Sequence, residues 1–78
     1  MWIVYVVRCG DGSLYCGITN DLDARLAAHA AGRGAKYTRG RGPFEVVYKQ
    51  RVRGKERALR VEAKIKSLSR EEKLALIA

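Results

Sequence analysis

The 78-residue sequence predicts an α+β domain. Three observations carry that prediction: two apolar runs around a Gly-Asp-Gly turn, a third β-branched run behind the only proline, Pro43, and three stretches with helical spacing. The length suits one domain, residues 1–78, with a small core of the kind that supplies only about 3–5 kcal/mol. Apolar residues make up 47% of the chain and fall in short runs, which suits a folded domain rather than a disordered one.

The run Trp2-Ile3-Val4-Tyr5-Val6-Val7 is β-branched and aromatic without alternation, so it is expected to be a central strand covered on both faces. Leu14-Tyr15-Cys16-Gly17-Ile18 follows as its hairpin partner. The turn decides where the two tyrosines lie. A two-residue Asp11-Gly12 turn would place Tyr5 and Tyr15 on opposite faces. A three-residue loop with Gly12 in the left-handed conformation pairs Cys9 with Ser13 and puts both on one face; this second register is the one expected. Thr19-Asn20-Asp21 starts a first helix over about residues 21–31, in which Leu22, Leu26, His29 and Ala30 recur at helical spacing until Gly32 and Gly34 end it. Arg25 falls one turn before His29, on the flank of that stripe. Residues 35–42 read as a loop, and Phe44-Glu45-Val46-Val47-Tyr48 as the third strand. The second helix spans about Lys55 to Lys66, with Ala58, Val61, Ile65 and Leu68 as its buried stripe. Ser69-Arg70-Glu71-Glu72 is a capping box that opens a short last helix containing Leu74 and Ile77.

Charge narrows the function. Sixteen Lys and Arg against eight Asp and Glu give a net +8. The excess is concentrated between Arg33 and Lys66, where twelve bases face three acids, so a polyanion is the natural partner. No apolar stretch approaches the roughly 20 residues that cross a bilayer, and no signal-peptide pattern is present; the expected location is cytoplasmic. Cys9 and Cys16 match no zinc-pair spacing and read as reduced thiols in a hairpin. Size and the lack of an apolar surface helix lead us to expect a monomer.

Hydrolysing a phosphodiester needs an activated water, cations for the charge that builds on the phosphoryl oxygens, and help for the departing oxygen. An arginine such as Arg25 offers a planar, permanently charged fork for a phosphate. Glu62 is a lone acid beside the apolar stripe of a basic helix. It can form an ordinary intrahelical ion pair with Lys66, or hold Mg²⁺ or Mn²⁺ whose remaining positions take water and substrate oxygens. Tyrosine, with a reference pKa of about 10, is a poor base without a proton acceptor, and the only histidine, His29, is the obvious one. For Tyr5, Tyr15 and His29 alike, core packing remains open on the residues alone.

In this order and spacing the residues resemble the GIY-YIG nucleases, specifically their small stand-alone bacterial type. The two naming motifs stand here as Val4-Tyr5-Val6 and Tyr15-Cys16-Gly17, followed by Ile18-Thr19, Arg25, His29, the run Gly-Ala-Lys-Tyr-Thr-Arg-Gly-Arg from Gly34 to Arg41, and Glu62. The resemblance implies a three-stranded antiparallel sheet flanked by about three helices and a divalent-metal-dependent endonuclease that hydrolyses DNA. Single-stranded, branched or damaged DNA in repair or recombination is the implied substrate. By the family's motif, Tyr5 and Tyr15 flank the attacking water, Arg25 contacts the scissile phosphate, Glu62 binds the metal, and His29 assists a tyrosine as base. DNA is the partner, with no membrane and no small-molecule cofactor. Val4, Val6 and Cys16 replace packing residues of the motifs, and Ile18 stands where some members carry a lysine, which leaves His29 as the nearby proton acceptor. The chain also shows none of the DNA-binding or zinc modules of larger relatives. Weak, poorly selective cutting, or activity that depends on a partner, is the corresponding expectation.

Arg33, Lys36, Arg39 and Arg41 lie in a glycine-spaced loop with Tyr37 and Thr38. They are expected to bind backbone phosphates, with Tyr37 free to stack on an unpaired base or to pack on its own domain. The alternative to an enzyme is a non-catalytic nucleic-acid-binding module on the same fold, which explains the charge but gives Glu62 no task.

Overall fold

The computed structural model describes all residues, Met1 to Ala78. Three strands, β1 (Trp2–Arg8), β2 (Leu14–Thr19) and β3 (Glu45–Val52), form an antiparallel sheet in the order β2-β1-β3. Three α-helices accompany it: α1 (Leu22–Ala30), α2 (Lys55–Lys66) and α3 (Arg70–Ile77). The unbroken apolar run of β1 is explained by its central place. Val4, Tyr5 and Val7 are 0% exposed and Val6 is 2% exposed, so both faces of the strand are covered.

The two faces differ in character. On one, Val4, Val6 and Cys16 pack against Val52 and against Ala58 and Ile65 of α2, with Val61, Leu76 and Trp2 around them. Fully burying one such aliphatic side chain stabilises by roughly 1.5–3 kcal/mol, which makes this face the main source of stability. On the other face lie Tyr5 and the buried His29 of α1. Asp21 caps α1 by accepting from the Ala24 N–H, and Ser69 and Glu72 close the expected capping box on α3.

Two elements differ from the sequence-based reading. β3 runs four residues past Tyr48, because it is an outer strand with a solvent face. Its backbone pairs with β1 through Lys49, Gln50 and Arg51 regardless of their polar side chains. The segment read as a plain loop contains a 3₁₀ turn, Lys36–Thr38, which folds the chain back over α1. No helix is long and apolar enough to cross a membrane.

Candidate active site

The hairpin sets the site. Cys9 N–H bonds the Ser13 carbonyl at 2.8 Å, Gly12 N–H bonds the Cys9 carbonyl at 2.9 Å, and Gly12 has φ of 84°. That is the three-residue loop with its glycine in the left-handed region, and it produces the register Tyr5↔Gly17 and Val7↔Tyr15. Tyr5 and Tyr15 therefore share a face, with ring centroids 6.5 Å apart. Gly17, opposite Tyr5, has a steric role. A Cβ there would lie 2.6 Å from the Tyr5 hydroxyl, so only glycine leaves room for the phenol. Gly17→Ala is expected to cost roughly 1–3 kcal/mol through overpacking. A thermal melt of the variant checks this, and an unchanged Tm would contradict it.

Helix α1 supplies the next two groups. His29 Nε2 lies 2.9 Å from the Tyr5 hydroxyl, and Arg25 Nε donates to the same oxygen at 3.4 Å. His29 is only 2% exposed, with Tyr15 at 5.5 Å and Phe44 at 5.7 Å between ring centroids. Its second nitrogen, Nδ1, is 2.7 Å from the Thr38 hydroxyl. The direction of this chain of hydrogen bonds follows from the count of protons. The single hydroxyl hydrogen of Thr38 goes to the Ala35 carbonyl, 2.9 Å away, so toward His29 the Thr38 oxygen accepts. Nδ1 then carries the imidazole hydrogen and Nε2 the lone pair. Tyr5 donates to that lone pair and accepts from Arg25.

Electrostatics agrees with this arrangement. Burial, seconded by the Arg25 cation, lowers the pKa of His29 below 6.5, which favours the neutral acceptor. Burial raises the Tyr5 pKa above 10.0 despite the opposing hydrogen bond and charge of Arg25, so the phenol stays protonated at neutral pH. The Tyr5 hydroxyl, more than any other group, keeps Arg25 charged.

Glu62 is not hydrogen-bonded into this group. It lies on α2 with its side chain 18% exposed, pairs with Lys66 at 3.5 Å, and makes no hydrogen bond with Tyr5, Tyr15, Arg25 or His29. The intrahelical pair anticipated from the sequence is thus present. Its charge is felt by Cys16, whose thiol is pushed up to about 11, by burial first and by Glu62 second. No three His, Cys, Asp or Glu side chains converge. A single hard carboxylate, part-exposed, fits Mg²⁺, which keeps several waters and takes substrate phosphate oxygens, better than it fits a metal caged wholly by protein.

The basic loop is divided. Arg33, Lys36 and Arg39 are exposed and form no ion pair. Arg41 is instead held by Asp11 of the hairpin turn and lies 4.6 Å over the Tyr37 ring, so its charge is already compensated. Tyr37 is 45% exposed and stacks on Tyr15 with 5.8 Å between centroids and 23° between planes. Of the two roles open to it, packing on its own domain is therefore the one the structure shows, with Tyr15 and Arg41 both against the ring.

Two residues at the site escaped the sequence reading. Thr38 carries no signal of a site role in the sequence, since only the 3₁₀ turn brings it to His29. Gly34 was read as a helix stop, but a Cβ there would overlap the His29 ring, so it also lets the loop close over the imidazole.

Residues 1–75 match the GIY-YIG catalytic domain. The chain belongs to this family. It is 57% identical to a UPF0213 protein of Oceanobacillus iheyensis over 74 residues, covering 95% of this chain and 86% of the relative. A UPF0213 protein of Vibrio cholerae is 53% identical over 78 residues, with 99% and 77% covered. Among solved structures, the solution structure of a UPF0213 protein from Bacillus halodurans superposes with a TM-score of 0.64. It is 50% identical, and the match covers 99% of this chain and 83% of that one. The GIY-YIG membership and the three-stranded sheet with three helices agree with the reading from sequence.

Proposed function

We propose that the protein is a divalent-metal-dependent endonuclease that hydrolyses DNA phosphodiester bonds on single-stranded, branched or damaged substrates. The observation that carries the reading is the sharing of one buried hydroxyl, Tyr5, between a neutral histidine acceptor and a permanent cation. Tyr5 is 0% exposed, so substrate binding must admit a water beside Tyr15 and Arg25; the phenol can then pass its hydrogen to His29 Nε2 while taking one from that water, which turns it into a nucleophile. Tyr15, on the same face and partly buried, orients the water from the outer side. Arg25 presents its guanidinium to the phosphoryl oxygens as negative charge develops there. Glu62 would hold Mg²⁺ or Mn²⁺, which when bound supplies Lewis-acid stabilisation of the phosphoryl group. Arg33, Lys36 and Arg39 bind the DNA backbone, with Arg41 and Tyr37 braced against the hairpin. The reading includes a monomer acting in the cytoplasm in DNA repair or recombination.

The test is direct. Purified protein with Mg²⁺ or Mn²⁺ is expected to nick labelled single-stranded or branched DNA on a denaturing gel, and EDTA to stop it. Arg25→Ala is expected to lower the nicking rate about a hundredfold or more, the usual loss for one charge-stabilising group. Glu62→Ala is expected to abolish nicking while DNA still shifts in a native gel. A second reading, a non-catalytic DNA-binding module, draws on the pairing of Glu62 with Lys66. It prevails if substrates of varied structure stay uncut in both metals.

A further inference from the structure

A cavity of about 340 Å³ opens at the free edge of β2, lined by Leu14, Tyr15, Cys16 and Tyr37 among other apolar side chains, with Lys66 and Lys73 completing it. We infer that this cavity receives the base of one unpaired nucleotide, next to the phosphate that Tyr15 and Arg25 face. The inference rests on DNA being the substrate and adds where a nucleobase is taken up.

Three features select a base. The cavity is of a size that ordinary small-molecule sites reach, about 300–1,000 Å³, and its floor is apolar. One side is aromatic: Tyr37 is 45% exposed, stacked on Tyr15 and covered by Arg41, so a base takes the place of the Arg41 guanidinium over the ring, and stacking of that kind accepts any base. Lys73 forms no ion pair and Lys66 shares only the Glu62 carboxylate, so cationic charge remains for the flanking phosphates. The strand edge adds hydrogen-bonding groups. β2 is an outer strand, and from the Cys9–Ser13 pair the antiparallel alternation turns the peptide groups of Leu14 and Cys16 away from β1, toward the cavity side. The protonated thiol of Cys16, with its raised pKa, leaves this wall uncharged.

A base held in a duplex cannot reach such a cavity without leaving its stack, which costs a few kcal/mol and is cheapest where pairing is already absent. The cavity therefore favours single strands, flaps and mismatches over matched duplex. It does so by base capture, independently of the backbone contacts made by the basic loop.

The experiment measures binding of the wild-type protein in EDTA, by fluorescence anisotropy, to a matched duplex, a single strand, and a duplex with one unpaired 2-aminopurine. The expected result is at least tenfold tighter binding where a base is unpaired, with quenching of 2-aminopurine by the tyrosines. An abasic site at the unpaired position should remove the gain. Tyr37→Ala, an exposed position that spares the core, should reduce the preference about tenfold, Tyr37→Trp should retain it, and Leu14→Trp, which fills the cavity, should erase it. Equal affinity for matched duplex and unpaired DNA, or no effect of the abasic site, overturns the inference. Nicking in Mg²⁺ is followed in parallel. Cutting without base preference removes the cavity's role and leaves the nuclease reading, whereas base capture without cutting removes the nuclease reading and leaves the cavity.

Discussion

Replacing Tyr5 by phenylalanine is expected to slow DNA nicking by roughly 10²–10⁴-fold, the range associated with losing a positioned proton-transfer group. The ring keeps its shape and its fit over Gly17, so the sheet register and the packing of β1 are retained. What disappears is the oxygen that His29 Nε2 and Arg25 Nε share, at 2.9 and 3.4 Å. Nε2 is then a buried acceptor without a donor, and stability should fall by about 1–3 kcal/mol as well. Kinetics and stability are separable in this variant. A melt shows the cost to folding, and nicking assayed well below the melting temperature shows the chemical loss. If Tyr5→Phe cuts DNA at the wild-type rate, the proposed route for the water's proton is wrong, whatever the melt shows.

Most of the architecture was legible because local rules and tertiary environment agree along most of this chain. The continuous apolar run of β1 announced a strand buried on both sides, and the turn Gly10-Asp11-Gly12 set the parity that turns Tyr15 toward Tyr5. The spacing of Arg25 and His29 placed both on the same flank of α1, where the Tyr5 hydroxyl meets them. The less legible parts are those in which solvent or long-range folding decides. Lys49, Gln50 and Arg51 carry no apolar pattern because an outer strand asks only for backbone partners. Thr38 carries no periodic signal at all. Its place follows from a turn of three residues whose position over α1 depends on the missing side chain at Gly34. For Glu62, helical position is readable, and the pattern taken alone favours the pair with Lys66 one turn on, which the structure contains; a metal is suggested only by the company of the other residues.

Thr38 matters because it decides which nitrogen of His29 can accept a proton. His29→Ala should lower nicking by about 10²–10⁴-fold, as the loss of the acceptor itself. Thr38→Val keeps the imidazole but deprives Nδ1 of its acceptor, so the other tautomer, with hydrogen on Nε2, becomes accessible and faces Tyr5 as a donor. About a tenfold loss of rate is the expected consequence, with recovery in Thr38→Ser. The pH dependence has a defined sign. Because the folded pKa of His29 is depressed below 6.5, the unfolded chain binds more protons between those two values, so stability rises with pH through that window and falls away on its acid side. The same lowering keeps Nε2 unprotonated at neutral pH, so the acid limb of the nicking rate should lie below pH 6.5. Ring ¹⁵N shifts of His29 report the tautomer directly and do not depend on catalysis. Hydrogen on Nδ1 is expected in the wild type and a mixture in Thr38→Val. Hydrogen on Nε2 in the wild type would reverse the hydrogen bond to Tyr5 and with it the direction in which a proton can leave the water.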